Sequence, residues 1–201
     1  MTIEKEFLEC KENALKSLEK ANLDDEVDRQ ILPVLNLINK SSEYYTSSSC
    51  AGRIILLEIP KIGDKKNARF VGIWHRTIKS EELLTAAKEA KKGMLWLLAQ
   101  SPIIHISTKT NDAADKIVKI ANACGFKNSA IKSFYKRIVV EVCSTERLDA
   151  PIGKDGELLL NKEHLELLVE ISNEIIKKSG LKLKKLEEKL RKDLSTYKTT
   201  K

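Results

Sequence analysis

Apolar positions set the outline of this chain before any single residue draws notice. From residue 3 to 21, Phe7, Cys10, Ala14, Leu15, Leu18 and Ala21 recur at three-to-four spacing, which predicts an amphipathic helix with a charged outer face. Residues 22–25 break it and cap a second helical stretch carrying Val27, Ile31, Val34, Leu35 and Ile38. Pro33 lies inside that pattern and predicts a kink or a division into two short helices. Strand patterns follow at about 52–59 and 69–76, joined by a Gly63-containing hairpin loop. Ser80-Glu81-Glu82 opens a helix that Gly93 ends. Residues 94–100 and 103–107 read as strands separated by Ser101-Pro102. Thr110 caps a helix with Ala113, Ile117, Ile120, Ala121 and Cys124 on one face, stopped at Gly125. Strands at about 129–134 and 136–143 lead to an irregular stretch, 144–156. A long helix then carries Leu165, Leu168, Ile175, Leu183, Leu186 and Leu190, with Gly180 as a place to bend.

This order predicts an α+β fold: a single domain with a mixed, mostly antiparallel sheet, packed helices, N-terminal helices and a long C-terminal helix. Its expected extent is 1–180, with 181–201 as a basic helical extension and tail.

One stretch departs from the periodic pattern. Tyr45-Thr46-Ser47-Ser48-Ser49-Cys50-Ala51-Gly52-Arg53 puts hydroxyls, a thiol, small residues and a cation directly before an apolar strand, Ile54-Ile55-Leu56-Leu57. Such residues suit a loop whose N–H groups and hydroxyls meet an anion, with Arg53 as a forked donor. An ordinary serine-rich turn with a strand-capping arginine explains them equally well.

Charge adds a second feature. The net charge of +7 is concentrated at the C-terminal end: residues 177–201 hold ten basic and three acidic side chains, whereas residues 1–40 hold six and nine. Lys182, Lys184, Lys185 and Lys189 there fit either a phosphate-backbone contact or the solvated face of a surface helix. No apolar run approaches the roughly 20 residues of a membrane span, and the charged N-terminus lacks a signal-type apolar segment. A cytoplasmic protein is expected. Cys10, Cys50, Cys124 and Cys143 are widely spaced, which argues against a zinc ribbon, a redox pair or disulfides.

Histidine chemistry rests on His75 and His105, each following apolar strand residues and each five positions before a helix-capping hydroxyl; His164 sits among acids in the last helix. The matched pair suits acid–base work near neutral pH, and a structural histidine is the alternative at either position. No third ligand has suitable spacing, so no metal site is expected. A Cys50–histidine nucleophile remains open. Neither the glycine-rich dinucleotide fingerprint nor the P-loop pattern occurs.

Several ordered motifs together resemble the third wybutosine-synthesis protein family, the S-adenosylmethionine-dependent methyltransferases that modify the tricyclic base beside the phenylalanine tRNA anticodon. The residue 45–53 stretch is similar to the family signature. His75 after a strand and Ile103-Ile104-His105-Ile106 resemble its next two motifs, and Gly125-Phe126-Lys127-Asn128-Ser129-Ala130-Ile131 a later segment. Ser144-Thr145, Pro151-Ile152 and Lys154-Asp155-Gly156-Glu157-Leu158 resemble the segment before the last helix. Ala51 and Ala130 stand where the pattern usually has Ser and Gly, and the basic tail is outside it. The resemblance covers about residues 25 to 180.

That resemblance implies methyl transfer from S-adenosylmethionine to a ring nitrogen of a demethylated wyosine base of phenylalanine tRNA, in a fold other than the Rossmann methyltransferase. His75 or His105 would take the proton. Ser47, Ser48, Ser49, Cys50, Gly52, Arg53, Asn128 and Ser129 would meet the cofactor, and Lys182, Lys184, Lys185 and Lys189 the tRNA backbone. The function of Asn128 and Ser129 rests on the resemblance alone. A tRNA-binding module without catalysis and a thiol hydrolase are the competing readings.

Overall fold

The computed structural model describes residues 3–135 and 137–195. Among these described residues, five helices and nine strands form an α+β arrangement in which every ladder is antiparallel. The strands form two sheets, and the chain divides into two compact units that interleave in sequence: residues 1–51, 102–145 and 180–201 in the first, 52–101 and 146–179 in the second.

In the first unit, helices α1 (Ile3–Leu23), α2 (Leu32–Asn39) and α4 (Asn111–Ala123) accompany strands β1 (Tyr44–Cys50), β5 (Ile103–Thr108), β6 (Ala130–Ser133) and β7 (Ile138–Cys143), in sheet order β1-β5-β7-β6. One sheet face sends Tyr44, Ile104, Ile106, Val140 and Val142 into a core with Val34, Leu35 and Ile38 of α2 and Ile117, Ile120 and Ala121 of α4. The other face carries Tyr45, against whose ring Phe7 of α1 packs edge-on at 5.1 Å. Thr110 caps α4 as its spacing predicts, accepting the Ala113 N–H.

The second unit holds β2 (Arg53–Ile59), β3 (Arg69–Trp74), α3 (Ser80–Ala87), β4 (Met94–Gln100), β8 (Arg147–Lys154) and β9 (Glu157–Leu158), in sheet order β3-β2-β4-β8-β9. Ile54, Leu56, Leu95, Leu97, Ala99 and Ile152 face a core shared with Leu83 of α3. Buried Glu58 fastens the entry to β4 by accepting the N–H groups of Lys91 and Lys92 while paired with Arg69.

Helix α5 (Lys162–Ser195) serves both cores: Leu165, Leu168, Val169 and Ile175 belong to the second unit's core, and Leu183, Leu186 and Leu190 to the first unit's. It continues through Gly180. Residues 196–201 of the basic tail lie outside the described residues.

Three local expectations are corrected. The hydroxyl stretch is not a loop but strand β1, because β5 supplies an antiparallel ladder to its backbone on both sides of Ser47. Residues 147–154 are not irregular: β8 pairs with β4 through Leu148, Ala150 and Gly153, with Ile152 the extra residue at a register shift beside Pro151. The second helix begins only at Leu32, placing Pro33 in the first turn, where its missing N–H costs nothing.

Candidate active site

The centre of the site is a row of side chains crossing three strands of the first unit. Ser48 of β1 pairs with His105 of β5, and His105 pairs with Glu141 of β7. Directly opposed residues on neighbouring antiparallel strands point to the same face, so the row lies on the face away from Ile104, Ile106, Val140 and Val142. Ser48 Oγ is 2.7 Å from His105 Nδ1, and His105 Nε2 is 2.9 Å from Glu141 Oε2. Lys132 closes the row, its Nζ 2.8 Å from Glu141 Oε1.

The carboxylate fixes the roles in this row. Burial pushes the Glu141 carboxyl up, but hydrogen bonds from Lys132 and His105 outweigh it and hold the group below the ordinary carboxylate range. An ionised carboxylate accepts only, so Nε2 of His105 carries the proton and donates to Glu141. In the neutral imidazole Nδ1 is then the acceptor, and Ser48 donates its hydroxyl proton to it. The result is a serine hydroxyl polarised by an oriented imidazole, the arrangement used to activate a hydroxyl or to accept a proton through it.

A β-bulge selects the serine. The β1–β5 register slips between Thr46 and Ser48, leaving Ser47 as the extra residue. Thr46 opposes Ile106 on the core side, where Asn39 Oδ1 accepts its N–H. Without the insertion Ser47 would oppose His105; with it, Ser48 does. Bulges often re-aim side chains beside sites.

The row borders a cleft of about 570 Å³ between α1 and β1. Asn13, Ala14, Ser17, Leu18 and Ala21 line its helix side, Ser47, Ser48 and Ser49 its strand side, with Glu26, Val27 and Arg137 at the margins. Arg137 donates to the Tyr45 hydroxyl at 3.2 Å.

The remaining expected residues fall in several places. Cys50 ends β1 in the first unit, opposite Ile103. Asn128 and Ser129 are also in that unit, where the Asn128 N–H donates to the Cys143 carbonyl. Ser129 Oγ donates to the Phe126 carbonyl and accepts the Cys143 N–H, the bonding of a turn support. Lys182 donates to the Gly125 carbonyl and to Ser144, and Lys189 pairs with Asp193, whereas Lys184 and Lys185 are exposed. Gly52, Arg53 and His75 belong to the second unit. Gly52 adopts φ +101°, a left-handed conformation that suits glycine. Arg53 donates to Gln100 at 3.0 Å, with its guanidinium 6.0 Å from the centre of the Phe70 ring. His75 follows β3 and is exposed, whereas His105 lies within β5 rather than at its end.

Sequence reasoning missed Glu141. The signal was available in Val139-Val140-Glu141-Val142, where alternation places a single acid on the face opposite the core valines.

Comparison with known proteins gives this geometry a context. The sequence profile of the family described as Methyltransferase TYW3 matches residues 9–192. The chain belongs to that family. Among TYW3 relatives, the tRNA(Phe) 7-((3-amino-3-carboxypropyl)-4-demethylwyosine(37)-N(4))-methyltransferase 1 of Pyrococcus horikoshii is 44% identical over 191 residues, covering 94% of this chain and 97% of that protein. The corresponding methyltransferase of Methanocaldococcus jannaschii is 41% identical, with 86% and 91% covered. The solved structure of PH1069 protein from Pyrococcus horikoshii superposes with a TM-score of 0.89 at 44% identity, over 94% of this chain and 98% of that one. A hypothetical protein from Aeropyrum pernix superposes at 0.71 with 26% identity, over 82% and 98%. A member of the TYW3 family is a methyltransferase, and the fold that carries this one is α+β with two antiparallel sheets.

Proposed function

We propose that this TYW3 member transfers the methyl group of S-adenosylmethionine to N4 of a 7-(3-amino-3-carboxypropyl)-4-demethylwyosine base in phenylalanine tRNA, in the cytoplasm. One observation carries the chemical part of this reading: the Ser48–His105–Glu141 row opens beside the cleft between α1 and β1.

The cleft suits the cofactor in size and lining. Its roughly 570 Å³ lies within the range of small-molecule sites. Ala14, Leu18 and Val27 offer apolar surface for a flat base, and Asn13, Glu26, Ser47 and Ser49 offer partners for hydroxyl and amino groups. Bound there, S-adenosylmethionine would supply an electrophilic methyl group on a sulfonium, already activated for displacement. The chain's residues are left with alignment and the proton.

A proton on the attacked ring nitrogen needs an acceptor as the new N–C bond forms. Ser48 Oγ takes that proton while passing its own to Nδ1 of His105. Glu141, ionised and anchored by Lys132, stabilises the imidazolium that results and keeps the ring from turning. Release of the proton from His105 to water restores the row. Atoms and charge balance without any further reactant.

The test is incorporation of labelled methyl from S-adenosylmethionine into phenylalanine tRNA that carries the demethylated base, with the product nucleoside identified by mass. Methylated nucleoside is the expected result. Its absence, with the protein folded and both substrates present, would refute the reading.

A further inference from the structure

We infer that the hairpin between β6 and β7 is a stacking site for unpaired nucleotides of an RNA loop. This rests on the reading above in one respect only, that the substrate is an RNA.

The described residues of the hairpin include Phe134, Tyr135 and Arg137, two aromatic rings beside a guanidinium, with Lys132, paired to Glu141, at the end of β6. Phe134 is 66% exposed and Tyr135 80% exposed, and neither ring belongs to either core. An aromatic ring held in water at a hairpin tip contributes little to folding. Beside cations it has the composition of single-stranded nucleic-acid sites, where rings stack on base faces and cations meet the backbone.

Position strengthens the case. Phe134, Arg137 and Lys109 line a second cleft, of about 600 Å³, together with Phe7, Cys10 and Tyr45. Cys10, Tyr45 and Arg137 also line the cleft beside Ser48, so the two clefts are neighbours along α1 with these three residues in common. Phe134 borders one of the two clefts and Ser48 the other. A nucleotide next to the modified base can stack on Phe134 while its phosphate meets Arg137, leaving the reactive base near Ser48. Glu6 is the acidic group in the lining of the aromatic cleft; nearby Glu4 is paired with Lys109 at 2.6 Å.

The charge distribution favours RNA over a protein partner. Two exposed rings are too small a patch to hold a protein alone, and the flanking residues are cationic rather than apolar. The hairpin also supplies a contact that part of the basic C-terminal helix does not offer, since Lys182 and Lys189 spend their ammonium groups within the protein.

The experiment measures binding of a fluorescein-labelled anticodon stem-loop RNA by anisotropy for wild type, Phe134→Ala and Phe134→Trp. A fully paired RNA duplex serves as control. Because Phe134 is exposed, neither substitution disturbs the core. Phe134→Ala should weaken stem-loop binding by roughly 5- to 100-fold, the range of one lost base stack. Phe134→Trp should bind as wild type does, and duplex binding should be alike in all three. Wild-type affinity in Phe134→Ala would overturn the inference, as would failure of Phe134→Trp to retain it. A substitution that changes only self-association, read by sedimentation, would assign the rings to a protein contact and also overturn it. Wild type that binds the stem-loop through Phe134 yet transfers no methyl group would leave this inference standing and remove the methyl-transfer reading. A methylating wild type indifferent to Phe134 would do the reverse.

Discussion

Ser48 meets His105 across β1 and β5, Oγ to Nδ1 at 2.7 Å, because β1 carries one extra residue at Ser47. The bulge therefore makes adjacent serines chemically unequal. Ser48→Ala should lower the rate of methyl transfer by about 10² or more, the usual contribution of a positioned proton-transfer group. Ser47→Ala should keep most of the rate, with any loss appearing as weaker cofactor binding. Rates under saturating and limiting S-adenosylmethionine separate the two effects.

Glu141 acts through His105 rather than on substrate. Glu141→Gln keeps the shape but lets the side chain present an amide donor to Nε2, which favours the wrong imidazole tautomer. The rate should fall by about 10²-fold, with the affinity for S-adenosylmethionine unchanged by calorimetry. Glu141→Asp should recover part of the loss. Equal rates for wild type and Glu141→Gln would remove the carboxylate from the mechanism.

Acid sensitivity should have a source in the second unit. Burial pushes the Glu58 carboxyl up, but the N–H groups of Lys92 and Lys91 and the Arg69 guanidinium pull it down further, so it ends below its ordinary value of 4.5. A depressed carboxyl stabilises the folded state fully above that ordinary value, and the stabilisation is lost as pH falls through the folded value. Glu58→Gln should thus cost about 2 kcal/mol near neutral pH. The gap from wild type should narrow steadily in denaturation measured at progressively lower pH below 4.5.

The C-terminal part of α5 is a structural member of the first unit. Leu186 is 2% exposed and packs in the core that also holds Ile104 and Val140. Leu186→Ala should destabilise the protein by about 3 kcal/mol, while an exposed change on the same helix, Lys184→Ala, should leave the melting temperature nearly unchanged. A small effect of Leu186→Ala would contradict this packing.

Much of the fold could be read from periodicity, since helices such as α4 combine a capping threonine, a continuous apolar face and a terminating glycine. Two of the places where periodicity misled share one cause. β1 and β8 owe their pairing to strands distant in sequence, β5 and β4, and neither Ser47-Ser48-Ser49 nor Pro151 has intrinsic strand preference. The site was legible in part. Residue type and resemblance point to His105 and the serine stretch, but singling out Ser48 among three serines requires the bulge, which no local pattern announces. Glu141 required knowing that β5 and β7 are neighbours.

The most direct test of the central claim combines methyl transfer and cofactor binding for wild type and Ser48→Ala with demethylated phenylalanine tRNA. The account predicts methylated base from wild type, a rate lower by about 10² in Ser48→Ala, and the same calorimetric affinity for S-adenosylmethionine in both. Undiminished transfer by Ser48→Ala would contradict the proton route through the Ser48–His105–Glu141 row, and no transfer by wild type would contradict the assigned reaction itself.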